Sequence, residues 1–242
     1  LQMAALQGGI TINATVGEPY GTIWGTNFTF VDGQRVIDPV TGRFVVDATP
    51  QVIGDINPDW KAGISNSFSY KDVSLSFLID IQEGGSVFSL DTWYSYATGV
   101  PANTVGTNDL GNPMRNPISQ GGGIVLEGVH PDGTPNTTRT DMSTYANAIG
   151  YGYAPNAFHT YDASFVKLRE VTLSYSLPES LTTPLNLTDI TLSAVGRNLW
   201  IIDKNIPYSD PEAGLSSGNI QGYQSGAIPT AREYGFNVRL QF

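Results

Sequence analysis

The sequence contains no cysteine, so it has neither a disulfide framework nor a thiolate metal site. Charge is also scarce: Asp, Glu, Lys and Arg make up 14% of the residues, against about a quarter in typical soluble domains. No run of eighteen apolar residues occurs, which excludes a membrane-spanning helix but not barrel strands, because these are short and only half apolar. Histidine appears twice, at His130 and His159, without paired spacing, whereas a zinc site needs three or four convergent ligands. No Gly-x-Ser-x-Gly elbow is present. Asp210-Pro211-Glu212 and Asp132-Gly133 are the only acidic groupings that suggest calcium or glycoside cleavage, and both have turn composition. We therefore expect no enzyme, no cofactor and no metal. The net charge of −10 argues against a nucleic-acid backbone as partner.

What is abundant is glycine, 27 in 242 residues, together with short alternating segments. In the segment 229–242 the apolar or aromatic residues Tyr234, Phe236, Val238, Leu240 and Phe242 alternate with Gly235, Asn237, Arg239 and Gln241. Successive side chains of a strand point to opposite faces, so this strand has one greasy and one polar face. A hairpin precedes it in the chain. Ile64, Phe68 and Tyr70 oppose Ser65, Ser67 and Ser69, Lys71-Asp72 breaks the pattern, and Val73, Leu75, Phe77, Ile79 and Ile81 resume it against Ser74, Ser76, Asp80 and Gln82. Further strands are expected over 163–177 and from Ile190 to about Trp200. Residues 8–16 alternate weakly. Residues 17–60 read as irregular, with short β pieces at 28–31 and 43–46, and 143–149 as a short helix.

The connections alternate in length: 71–72 and 178–188 are short, 83–162 and 201–228 long. An up-and-down sheet puts all short turns at one end and all long loops at the other, as outer-membrane barrels do, with the short turns toward the periplasm. An 80-residue loop is foreign to a soluble domain of this size. The fold class expected is thus all-β, antiparallel, and a membrane barrel. The alternative is a soluble secreted β-domain that binds or cleaves glycans. The two differ in where Phe236, Val238, Leu240 and Phe242 point. Within the long loops Trp93, Tyr94, Tyr96, Tyr151 and Tyr153 are the candidate substrate-binding residues, because aromatic faces stack on sugars or pack on peptide side chains.

The run YDASFVKLREVTLSYSLP at 161–178 resembles a signature of SusC/RagA-like TonB-dependent transporters of Bacteroidota. Gly54-Asp55-Ile56-Asn57-Pro58-Asp59-Trp60 lies ahead of it, as does the segment 128–136 beginning Gly128-Val129-His130-Pro131-Asp132. Gly196-Arg197-Asn198-Leu199, Asp210-Pro211-Glu212 and Ile228-Pro229 follow in the family's order. The resemblance covers roughly 17–242. It implies that 1–242 is the C-terminal portion of a larger, 22-stranded barrel whose plug, TonB box and earlier strands are not in this sequence. The sequence starts at Leu1 without an initiator Met or signal peptide, which fits a mature fragment, a processed product or a partial stretch of a longer chain. The resemblance also implies partners: a SusD-like surface lipoprotein, TonB, the remainder of the transporter, outer-membrane lipid, and an oligosaccharide or peptide as cargo. The implied location is the Gram-negative outer membrane.

Overall fold

The computed structural model describes residues 1–143, 149–214 and 218–242. The short helix expected over 143–149 falls across 144–148 and so lies outside the described residues. In chain order, the first sheet is built from β1 (Gln2–Leu6), β2 (Ile10–Ala14) and β3 (Tyr20–Phe28). A small ribbon, β4 (Phe30–Val31) and β5 (Gln34–Arg35), then leads to β6 (Val46–Asp55), which completes the sheet in the order β1-β2-β3-β6. The hairpin β7 (Trp60–Tyr70) and β8 (Val73–Glu83) comes next. A long excursion follows, with β9 (Ser86–Ser89), helix α1 (Leu90–Thr98), the ribbon β10 (Ile124–Val125) and β11 (Arg139–Thr140), and β12 (Thr160–Asp162). The chain continues through β13 (Phe165–Ser176) and β14 (Asp189–Lys204) to a second excursion carrying β15 (Tyr223–Gln224), and β16 (Glu233–Gln241) comes last.

Five of these strands make the sheet that organises the molecule, in the antiparallel order β16-β14-β13-β8-β7. They are the five strands whose alternation is clearest in the sequence, although β14 runs on to Lys204 rather than stopping near Trp200. The register carries the alternation across the whole sheet. Phe68 opposes Leu75, Leu75 opposes Leu173, Leu173 opposes Ala194, and Ala194 opposes Phe236. On the other face Ser67, Ser76, Thr172, Val195 and Gly235 stand in the same relation. A one-residue slip at any pair would put polar groups onto the apolar face. The two short turns lie at one end of this sheet and both excursions at the other, as the connection lengths require.

Most of the apolar face is uncovered, with Ile190 near the short-turn end the exception at 8% exposure. Phe236 is 70% exposed, Val238 49%, Leu240 48% and Phe242 89%. Phe68 and Leu173 are likewise exposed. The buried core sits instead in the first sheet and the excursions, where Ile10, Ile23, Phe88 and Leu90 form one cluster and Phe28, Ile37, Phe44, Tyr96 and Met142 another. A soluble sandwich would have buried the larger apolar face first, since burial is the main driving force of folding.

Residues 17–60 are more regular than their composition suggests, with β3 and β6 paired over most of their length. Gly17 and Gly33 are open turn positions with positive φ, whereas Gly25 and Gly54 mark close packing within the strands. A Cβ on Gly25 would lie 2.9 Å from both Asn156 Cβ and Ile53 Cδ1, and one on Gly54 would lie 2.7 Å from Ser86 Cβ. Asn156 locks that contact: its Oδ1 accepts from Thr26 N at 3.0 Å, and its Nδ2 donates to Gly8 O at 2.6 Å. The described residues of the 83–162 excursion, 83–143 and 149–162, are likewise folded, not structureless.

Candidate functional site

The polar face of the sheet carries its charges near the end from which the excursions leave. Strand β13 has a register shift between Leu168 and Glu170 that leaves Arg169 unpaired as an extra residue. Lys167, the third residue of the strand, is almost fully buried, with a side chain 2% exposed. Its ammonium donates to Asp210 Oδ1 at 2.6 Å and to Glu212 Oε2 at 2.5 Å. Arg169 donates two bonds of 2.9 Å to Glu212 and one of 3.0 Å to Asn198 Oδ1, and it pairs with Asp80 of β8. Asp210 also accepts from Thr230 N at 2.9 Å, and Asn198 Nδ2 donates to Ala231 O at 3.1 Å. Both arms of the second excursion are thereby tied to each other and to the sheet.

A buried ammonium is tolerable only when paired and hydrogen-bonded, and this one is. Burial alone would raise the Asp210 carboxyl. Hydrogen bonds from Lys167, from the Thr230 hydroxyl and from the backbone of Glu212 and Thr230 outweigh it and hold Asp210 at about 2. Glu212 is lowered in the same way: burial opposes the shift, and Arg169 and Lys167 override it. The acidic pair of Asp210-Pro211-Glu212 is thus consumed by cations and holds a loop in place. Asp132 has a turn role, accepting from Thr134 N at 3.0 Å and Thr134 Oγ1 at 2.7 Å. His130 Nδ1 lies 3.3 Å from the Ile37 carbonyl. His159 is fully buried beside Tyr96 and Phe158, and burial drives its pKa down to about 3. Among the described residues no three His, Cys, Asp or Glu side chains come together as a metal site.

The five candidate aromatics divide into three groups. Helix α1 starts at Ser89, whose Oγ accepts from Thr92 N, and stops at Gly99, whose backbone is left-handed at φ 71°. It brings Trp93 within 4.7 Å of Tyr151 and 4.9 Å of Tyr94, ring centre to ring centre, and Tyr94 lies 5.7 Å from Tyr151. Tyr94 and Tyr151 are exposed. Gln7 from the β1–β2 turn donates to the Tyr94 hydroxyl. These three rings form one surface. Tyr96 lies on the opposite side of α1, buried in the core with its hydroxyl accepting from Asn103 Nδ2 at 2.9 Å, and burial raises its pKa. Tyr153 stands apart, under the Arg43 guanidinium at 3.8 Å. The helix itself was not read from the sequence. The usable signals were the Ser89 cap, Asp91 in the first turn and the Gly99 stop.

No protein-family model matches the chain. A TonB-dependent receptor, P3, of Formosa agariphila is 25% identical over 204 residues, which is 81% of this chain and 17% of the relative. The chain resembles a segment of a TonB-dependent receptor. A second TonB-dependent receptor of that organism, P26, is 25% identical over 79% of the chain and 18% of its own length. The chain therefore spans less than a fifth of the curated receptors it matches. Among solved structures, the RagAB peptide importer aligns over all of the chain and about a quarter of the matched one. Its closed-closed state gives a TM-score of 0.59 at 18% identity and its open-open state 0.61 at 19%. At that identity the RagAB likeness speaks for the fold, and it agrees with the SusC/RagA-type resemblance of the sequence.

Proposed function

We propose that this chain forms part of the wall and the extracellular crown of a TonB-dependent outer-membrane transporter, and that the whole protein imports oligosaccharides or peptides without catalysing a reaction. One observation carries the reading: a five-stranded sheet exposes most of an apolar face while a separate core lies in the first sheet and the excursions. Such a face needs lipid, and its β7 and β16 edges need strands, because unpaired backbone in hydrocarbon costs several kcal/mol per group. The remainder of a longer polypeptide supplies those strands and the plug. The excursions over 84–164 and 205–232 lie outside the cell, where a SusD-like lipoprotein covers them, and Trp93, Tyr94 and Tyr151 are the rings offered to cargo.

Uptake measured in cells that produce the protein tests this reading. Disrupting TonB, or removing the protein, should abolish accumulation of one labelled oligosaccharide or peptide mixture and leave porin-sized solutes unaffected. Cargo accumulation that persists without TonB contradicts it.

A further inference from the structure

The connection between β13 and β14 is the longer of the two short turns, and it is folded. Helix α2 (Glu179–Thr182) is followed at once by a tight helical turn over Thr183–Leu185. Leu181 N donates to Pro178 O, Asn186 N to Thr183 O and Leu187 N to Thr182 O. Asn186 ends the turn with a left-handed backbone, φ 56°. Both ends are tied to the sheet. Leu177 N donates to Ile190 O, and Thr188 donates to Gln241 O through its N–H at 2.8 Å and its hydroxyl at 3.0 Å.

This rigid segment has three different sides. Thr182 is buried, where α2 packs against β14. Glu179, Ser180 and Thr183 are polar and exposed. Leu181 and Leu185, four residues apart and so on one side, are 54% and 61% exposed. Ile190 fixes which face of the wall the turn covers. The pairs Ile190–Leu240, Leu192–Val238 and Ala194–Phe236 put Ile190 on the apolar face, and it is buried where α2 meets β14. The turn thus folds back over the apolar face, not over the polar one lined by Ser and Thr.

Area and continuity decide what meets the two leucines. Two leucine side chains, even with the exposed Phe242 at the end of the neighbouring strand, fall far short of the about 1,200 Å² that a stable protein contact buries. An element lying in a membrane interface needs only one apolar side against the acyl chains and a polar side among the headgroups. The leucines also continue the apolar face past Tyr70 and Tyr175, which both oppose Val73 at the same end of the sheet and are exposed. Tyrosine suits that level of a membrane, with its ring in the apolar zone and its hydroxyl in water. We infer that the turn over 178–187 is a membrane-interface anchor, with Leu181 and Leu185 set into the acyl boundary of the periplasmic leaflet. Its occupant is phospholipid, and it fixes the height of the wall in the bilayer from the inner rim. This inference rests on the lipid-facing reading of the sheet in the proposed function.

The test uses the complete transporter in phosphatidylcholine vesicles, with any cysteine outside 1–242 replaced by serine. Leu181→Cys, Leu185→Cys, Ser180→Cys, Thr183→Cys and, as a reference on the wall, Leu75→Cys each carry a bimane fluorophore. All five side chains are exposed, so the substitutions leave the fold intact. Bromination of the lipid acyl chains should quench the labels at 181 and 185 at least about twofold, as it does the label at 75. The labels at 180 and 183 should respond to iodide in the buffer and little to bromine. Labels at 181 and 185 that answer to iodide and not to bromine place the turn in water, and labels shielded from both place it against protein. Either result, with the label at 75 quenched by bromine, overturns the anchor alone. A label at 75 that escapes bromine overturns the lipid-facing wall on which the anchor rests.

Discussion

The ammonium of Lys167 lies 2.6 Å from Oδ1 of Asp210, joining strand β13 to an excursion 43 residues further along the chain. Both side chains are nearly sealed from solvent, at 2% and 4% exposure. Removing one partner of such a pair leaves a buried charge uncompensated, at a cost of about 3–5 kcal/mol. Lys167→Met should therefore free the second excursion, seen as new protease cleavage within 205–232 in outer-membrane preparations. Asp80→Asn, at the more exposed end of the same network, should cost about 1 kcal/mol or less and leave the cleavage pattern unchanged. Equal sensitivity in the two variants would show that the cluster does not hold the loop.

The buried imidazole of His159 makes a pH prediction. Its pKa falls from 6.5 to about 3 because burial disfavours the charged form. The unfolded chain takes up this proton below pH 6.5 while the folded chain stays neutral, so stability is intact above 6.5 and declines as pH falls toward 3. The slope is about 1.4 kcal/mol per pH unit from this one group. In His159→Phe that acid-side loss should disappear, measured as protease resistance of the 84–162 excursion between pH 6.5 and 4. A variant that loses resistance as steeply as the parent would refute the assignment.

How much of this was legible in the sequence depended on which faces a strand buries. Strands β7, β8, β13, β14 and β16 alternate visibly because one face meets an apolar phase and the other a polar one, and Leu75, Leu173 and Phe236 mark it. Strand β3 hides itself because Gly21, Thr22 and Ile23 are buried in succession, one side against β-neighbours and the other against the excursion, so no period of two survives. The candidate site was partly legible. Trp93, Tyr94 and Tyr151 meet as a surface, but spacing alone does not separate Tyr96, which a helical turn sends inward. Asp210 and Glu212 stand out as a motif, yet their partners Lys167 and Arg169 lie 43 residues away, and only the fold brings them together. In strict alternation Lys167 and Arg169 share the parity of the apolar Val171, Leu173 and Tyr175, and only the register shift at Arg169 brings Lys167 to the polar face.

The direction of the side chains on β8 can be tested by charge. Phe77 lies mid-strand on the apolar face, its ring 6.3 Å from that of Phe68, and Ser76 beside it faces the other way. Phe77→Arg should cost about 2–4 kcal/mol if it meets the bilayer midplane. Ser76→Arg should be tolerated. Thermal shift of the band that stays folded in cold detergent gel electrophoresis reads both, and equal effects at the two positions would contradict the assignment.

The most direct test of a lipid-facing wall is a scan of β8 with single spin labels, since residues 1–242 contribute no competing cysteine. Labels at residues 73, 75, 77, 79 and 81, in membranes, should be relaxed by dissolved oxygen and shielded from a water-soluble nickel complex. Labels at 74, 76, 78 and 80 should show the reverse, giving an alternation of period two along the strand. A scan in which the odd positions are accessible to neither reagent would place them in a protein core and contradict the account.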